Sequence, residues 1–296
     1  MSVEGFSVDE EWITSSDGHP IFTKTWTPTG EVTATLVLVH GFGEHISRYN
    51  HVVAAFATIG VLTHGFDQRG FGETGKKSKS LGVTGGFKKV LADVDEALVR
   101  TKQEGKPQFL FGHSMGGMVV LNYAAVGAHR LELVDGIISS APLVTPSVGP
   151  PAPVIAILKG VAEVVPSFQI KIDVSADFLS RDPEEVKKYI ADPLVHNLSG
   201  LKSAKDMIVH GKALMTKKLG ASITQPILQA HGTADKINFY HDSKTAFDLY
   251  ASTDKTWRGH EEYYHELHNE PLQDREGVIR EYVEWLQKQI AKYKKD

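Results

Sequence analysis

The chain has 296 residues, of which 41% are hydrophobic and 23% charged, a profile that excludes disordered and fibrous classes and supports a self-sufficient core. Lys plus Arg is 32 against 36 Asp plus Glu, so the net charge of −4 argues against a protein that neutralises nucleic-acid phosphates. There is no cysteine, which removes disulfides, a thiolate nucleophile and cysteine zinc sites.

Met1 to Glu11 is polar and acidic, without the basic and apolar blocks of a secretory signal, and no apolar run approaches the roughly 20 residues that cross a bilayer. A cytoplasmic protein is expected, with the Asn197-Leu198-Ser199 sequon unused. Glu11 to Thr14, a turn at Ser16-Asp17-Gly18 and Ile21 to Trp26 read as antiparallel strands. From Thr35 the pattern changes to near-continuous apolar runs, at Thr35 to Val39, Val61 to Phe66, Phe109 to Phe111, Val134 to Ile138 and Ile227 to Ala230. Such runs mark strands buried on both faces of a parallel sheet. Tyr49 to Thr58, Phe87 to Gln103 and Met115 to Val126 are helix-length segments between them, and Gly277 to Lys292 closes the chain as a helix with one apolar face. The alternation predicts an α/β fold with a mostly parallel sheet flanked by helices.

One stretch breaks the rhythm. After Pro142, and as far as about Ser222, prolines crowd at 146, 150, 151, 153, 166, 183 and 193, and no βα repeat appears. The expected organisation is a core of residues 1–142 and 223–296 with an inserted lid, 143–222, over the carboxyl ends of the strands. Within it Pro153 to Val165 reads as a short, broadly apolar helix, with Lys159 and Glu163 its only charges.

Gly112-His113-Ser114-Met115-Gly116 lies between a predicted strand and a predicted helix. That context makes G-x-S-x-G a nucleophile elbow, a sharp turn that exposes the serine hydroxyl above a helix N-terminus. A serine nucleophile needs an orienting acid and a base, in the order Ser, Asp, His for this layout. Asp235 follows the strand Ile227 to Ala230 in the run His231-Gly232-Thr233-Ala234-Asp235. His260, His265 and His268, placed to follow another strand, are the candidates; His265, following Glu261 to Tyr264 at the expected strand end, is preferred as the base. The loop His40-Gly41-Phe42-Gly43-Glu44-His45 follows an early strand, so the backbone N–H groups of Phe42 and Met115 are the expected oxyanion donors. His265-Glu266-Leu267-His268 spaces its histidines at i+3 rather than i+4, so a zinc-protease site and any metal are discounted. Asp67, at another strand end, is expected to brace its turn rather than act as nucleophile.

These motifs, with Arg48-Tyr49, Leu179-Ser180-Arg181, Tyr189, Asp192-Pro193-Leu194 and Gly200-Leu201-Lys202, resemble the monoacylglycerol lipase family of α/β-hydrolases from about Trp12 to the last helix. The resemblance implies a cofactor-independent carboxylic ester hydrolase acting on monoacylglycerols, with His265 as base. It also implies that Glu44, Arg48 and His268 lie on the alcohol side of the site. Some relatives carry cysteines near the site and this chain has none, so thiol-directed regulation does not carry over. A membrane or lipid-droplet surface, met through the apolar lid helix, is the expected partner besides the substrate. Lysophospholipase, thioesterase or peptidase activity with the same triad, or a non-catalytic binding protein on this scaffold, remain the alternatives at this point.

Overall fold

The computed structural model of the protein describes residues 2–3, 5–126, 130–149 and 151–294. Among them, nine strands form one sheet in the order β1-β2-β3-β5-β4-β6-β7-β10-β11. The first three are β1 (Ser2–Val3), β2 (Phe6–Thr14) and β3 (Pro20–Pro28), antiparallel to one another, with β3 also antiparallel to β5 (Val61–Phe66). The parallel part runs through β4 (Ala34–Val39), β6 (Gln108–His113), β7 (Gly136–Ser140), β10 (Ile227–Gly232) and β11 (Lys255–His260). β4, β6, β7 and β10 are buried along their whole length, which is why they read as unbroken apolar runs.

The flanking helices in chain order are α1 (Asn50–Ala57), α2 (Gly72–Ser78), α3 (Phe87–Thr101), α4 (Met115–Ala125), α5 (Ala152–Val164), α6 (Pro183–Ala191), α7 (Leu201–Ala213), α8 (Lys217–Gly220), α9 (Tyr240–Asp248) and α10 (Leu272–Tyr293). Two cores fill the two faces of the sheet. Val37, Leu110, Ile137 and Ile227 pack with α3 and α4 on one face; Leu36, Phe109, Phe111 and Leu228 pack with α1 and α10 on the other. Successive strand residues feed opposite cores, as the two-residue period of a strand requires.

Between β7 and β10 the described residues add nothing to the main sheet. They supply α5 to α8 and a separate antiparallel pair, β8 (Gln169–Lys171) with β9 (Leu198–Gly200). α5 sits within one residue of the stretch predicted from its apolar pattern.

Several expected boundaries move; β2 starts at Phe6 rather than Glu11, and α10 at Leu272 rather than Gly277. β7 begins at Gly136 rather than Val134, because Leu131–Leu133 is a 3₁₀ turn and the Asp135 side chain, rather than a backbone carbonyl, accepts from Gln108 N at 2.7 Å. The last strand is Lys255–His260, not a run ending at Tyr264. Beyond His260 the chain turns at Glu262, whose φ of 61° lies in the left-handed region and whose N–H bonds Thr233 Oγ1 at 2.8 Å. His265 is therefore carried on a loop five residues past the strand.

Candidate active site

Ser114 stands between β6 and α4 with φ 55° and ψ −117°, a strained backbone for a residue with a side chain. The two flanking glycines explain how the turn closes. A Cβ on Gly112 would collide with Gly116 O, and one on Gly116 would collide with Val39 O of β4. The tight elbow needs both positions bare, and it holds Ser114 Oγ at the carboxyl edge of the sheet.

The structure brings Ser114, His265 and Asp235 into one hydrogen-bonded chain. His265 Nε2 lies 2.9 Å from Ser114 Oγ, and His265 Nδ1 lies 2.7 Å from Asp235 Oδ2. All three are buried. Asp235 Oδ1 accepts from the backbone N–H groups of Ile237 and Asn238 at 2.8 and 2.9 Å, which fixes the carboxylate in its loop. Burial alone would raise Asp235, but the His265 charge and the hydrogen bonds from His231 and His265 hold it well below the ordinary carboxylate range. Burial works against a charged ring at His265, yet Asp235, with the Glu266 and Glu44 charges, offsets it, and His265 is raised above its ordinary value. The pair is thus set for a proton to move from Ser114 Oγ to His265 Nε2.

Among the described residues neither Phe42 N nor Met115 N has a hydrogen-bond partner. Met115 N belongs to the first turn of α4, where N–H groups have no intrahelical acceptor. Glu44 Oε1 takes Gly41 N at 2.6 Å, which pins the loop carrying Phe42.

Glu44, Arg48 and Glu266 form a buried ion network. Arg48 donates to Glu44 Oε2 at 2.7 Å and, in a fork, to both oxygens of Glu266 at 2.7 Å each; Tyr49 OH donates to Glu44 Oε1 at 2.6 Å. Burial would raise both carboxyls; the Arg48 charge and hydrogen bonds hold Glu266 below its ordinary value, while Glu44 stays raised. The three residues expected on the alcohol side take different places in this arrangement. Glu44 lines the cavity over Ser114, but Arg48 lines a separate outer groove of about 870 Å³ and is committed to two carboxylates. His268 is fully buried behind the site, stacked on Tyr49 at 4.8 Å and edge-on to His113 at 5.0 Å. Burial pushes His268 down to about 3, so it is a neutral packing residue rather than a wall of the cavity. Its backbone follows a 3₁₀ turn, Leu267–Asn269, which carries its ring away from the cavity that His265 reaches.

The cavity above Ser114 has a volume of about 920 Å³. Ser114, His265, Glu44 and Asn238 supply its polar floor, and Leu143, Val154, Ile157, Leu158, Val161 and Met207 are among its apolar walls. Such a mostly apolar space with the Ser114–His265 pair in its wall suits a substrate with a hydrocarbon tail and one reactive polar bond. Asp67 accepts from Ile46 N at 3.0 Å and Glu73 N at 2.8 Å, away from Ser114. Among the described residues no three His, Cys, Asp or Glu side chains gather in a metal-holding arrangement.

Sequence reasoning passes over three residues of the site. Glu266 adjoins His265 and is held by Arg48. Asn238 places Nδ2 2.8 Å from Ala141 O and 3.4 Å from Ser114 Oγ. His231 approaches Asp235 at Oδ2, the oxygen that His265 also reaches. Only the position of Asn238, three residues past Asp235 on the same loop, offers a signal; the other two depend on contacts distant in sequence or on side-chain direction.

A family model described as serine aminopeptidase, S33 matches residues 30–272. The chain is 30% identical to the monoacylglycerol lipase of Mycolicibacterium smegmatis over 91% of its own length and 93% of that protein. It is likewise 30% identical to the monoglyceride lipase of Homo sapiens, over 94% of this chain and 90% of that one. A solved structure of a soluble variant of monoglyceride lipase from Saccharomyces cerevisiae, in complex with a substrate analog, superimposes with a TM-score of 0.86 at 25% identity, covering 98% of this chain and 97% of that one.

Proposed function

The chain belongs to the monoglyceride lipase family of α/β-hydrolases, and from that premise we propose that it is a serine hydrolase cleaving the ester bond of monoacylglycerols to fatty acid and glycerol. The observation that carries this reading is the unbroken chain Asp235–His265–Ser114, with Ser114 and His265 lining a mostly apolar cavity, joined to family relatives named for that reaction. In the proposed mechanism, His265 Nε2 takes the Ser114 hydroxyl proton as Oγ attacks the ester carbonyl. The N–H groups of Phe42 and Met115 receive the oxyanion. Asp235 holds the imidazolium that forms. As the tetrahedral intermediate collapses, His265 returns the proton to the departing glycerol oxygen and the acyl group stays on Oγ. A water molecule, deprotonated by His265, then attacks that acyl ester, and fatty acid leaves with Ser114 restored. Glu44 is the proposed alcohol-side contact, because it shares the polar floor with Ser114.

Segment 143–222 is the proposed lid. Its support is that Leu143, Val154, Ile157 and Ile208 line the space above Ser114. A lipid surface is the proposed partner. Val164 and Phe168, on and after α5, are 80% and 63% exposed and lie outside the cavity wall, which is what a docking face requires. Among the described residues no helix is long and apolar enough to cross a membrane. A fluorophosphonate probe tests the central reading: it should label Ser114 stoichiometrically and abolish ester hydrolysis. An unlabelled, folded protein would leave only a binding role.

A further inference from the structure

Asp235 carries a second imidazole. His231 Nε2 lies 3.0 Å from Asp235 Oδ2, the same oxygen that accepts from His265 Nδ1 at 2.7 Å. His231 Nε2 is also 3.3 Å from Asn238 O. Both neighbours are acceptors, so the neutral ring must carry its proton on Nε2 to be bonded at all. Nδ1 is buried and has no partner among the described residues, which gives the opposite tautomer nothing to donate to.

The ring cannot drift. His231 sits in β10, hydrogen-bonded to β11 with Gly259 opposite it. Tyr240 packs edge-on against it at 5.7 Å. A Cβ on Gly259 would come within 2.5 Å of Tyr240 OH, so the bare position opposite His231 is what admits that tyrosine.

We infer that His231 is a positioning residue for the triad, a fixed Nε2–H donor that locks Asp235 Oδ2 and tempers the charge it presents to His265. The inference rests on the proposed roles of Ser114, His265 and Asp235 and adds a fourth member to them. With His231 in place, each carboxylate oxygen has two donors: Ile237 N and Asn238 N on Oδ1, His231 and His265 on Oδ2. A carboxylate so filled can neither rotate nor take up a proton readily. Without the His231 donor, more of its charge falls on His265, whose imidazolium becomes too stable and whose basic form is reached only at higher pH. Asn238 links the same unit to the nucleophile, since its N–H and C=O serve Asp235 and His231 while its side chain reaches Ser114.

The groups that set this titration are few. Asp235, His113, Glu266 and Glu44 face or surround His265, with Arg48 and His268 behind them. Asp235 and Tyr240 face His231. Of the charged groups around His265, the His231 donor contacts Asp235 alone.

The test uses the full chain and a p-nitrophenyl ester. His231→Leu should lower kcat with little change in KM; outer partners that orient metal-bound histidines offer the nearest scale, about 10–100-fold. Its acid limb of kcat/KM should move to higher pH. His231→Gln, whose amide Nε2 can occupy the position of the imidazole Nε2, should recover most of the rate and return the limb toward its original place. A folded, active His231→Leu with an unmoved limb overturns the inference and leaves the Ser114 reading standing. Activity in folded Ser114→Ala would instead overturn that reading. If His231→Leu does not fold, ¹⁵N NMR of the histidine-labelled unsubstituted protein decides: a neutral His231 protonated at Nε2 supports the inference, and protonation at Nδ1 overturns it.

Discussion

Arg48 grips Glu266 through two parallel hydrogen bonds of 2.7 Å, and Glu266 is the residue immediately after His265. The pair ties the loop after β4 to the loop that carries the proposed base, 218 residues apart in sequence. It therefore sets where His265 sits, and Arg48 is spent on that task.

The first prediction follows from this fork. Arg48→Met should strand two buried carboxyls, costing about 3–5 kcal/mol of stability as a broken buried pair does. Arg48→Lys keeps the charge but loses the planar fork, and should be milder. In both, kcat should fall as much on a p-nitrophenyl ester as on a monoacylglycerol, because the defect is in His265. A rise in KM confined to the glycerol ester would return Arg48 to alcohol binding. Urea unfolding and paired steady-state kinetics supply both readings.

The second prediction separates two histidines three residues apart. His265→Ala should be almost inactive on a p-nitrophenyl ester, since no other base reaches Ser114 Oγ. His268→Ala should melt at a lower temperature, because it opens a void between Tyr49 and His113, but should retain a working Ser114–His265 pair. A folded His268→Ala with the loss expected of His265→Ala would reverse the assignment.

A third expectation concerns pH. Against the opposing effect of burial, Asp235 and the neighbouring carboxylates raise His265 above its ordinary value of 6.5, so the ring stays protonated, and unable to accept from Ser114, to a higher pH than a free imidazole would. kcat/KM should thus rise with pH through a midpoint above the ordinary imidazole value of 6.5. A midpoint below 6.5 would contradict the Asp235–His265 coupling. The pH profile of the unsubstituted protein on an uncharged ester is sufficient.

The lid supplies the fourth. Val164→Ser with Phe168→Ser removes apolar surface outside the cavity, where each side chain fully buried in lipid would contribute about 1.5–3 kcal/mol. Liposome flotation and turnover of dispersed long-chain substrate should both fall, while a soluble short-chain ester is spared. Ile157→Ser with Leu158→Ser alters the cavity wall instead and should slow long-chain substrate even in detergent solution. Equal losses for Val164→Ser with Phe168→Ser on short and long substrates would remove the docking role.

Legibility in the sequence follows the kind of information each feature needs. β4, β6, β7 and β10 are buried on both faces, so their apolar runs announce them, and the glycines around Ser114 announce the elbow by their spacing. β11 lies earlier than its sequence suggests because it is a partly exposed edge strand, Lys-Thr-Trp-Arg-Gly-His, with no apolar run to mark it. α10 starts five residues before its apolar face, since Pro271 and Asp274 rather than hydrophobic spacing begin it. Whether Arg48, His268 and His231 face the cavity, the core or Asp235 depends on side-chain direction and long-range contact. No local pattern encodes that, so the placements of Arg48 and His268 are not legible in the sequence.

The most direct test of the central claim is a panel of initial rates at one acyl chain: monoacylglycerol, diacylglycerol, triacylglycerol, lysophospholipid and acyl thioester, each with the unsubstituted protein and with Ser114→Ala. The account predicts that monoacylglycerol is cleaved fastest and that Ser114→Ala, folded, loses several orders of magnitude on it. Faster turnover of the lysophospholipid or thioester, or monoacylglycerol hydrolysis that survives in folded Ser114→Ala, would contradict it.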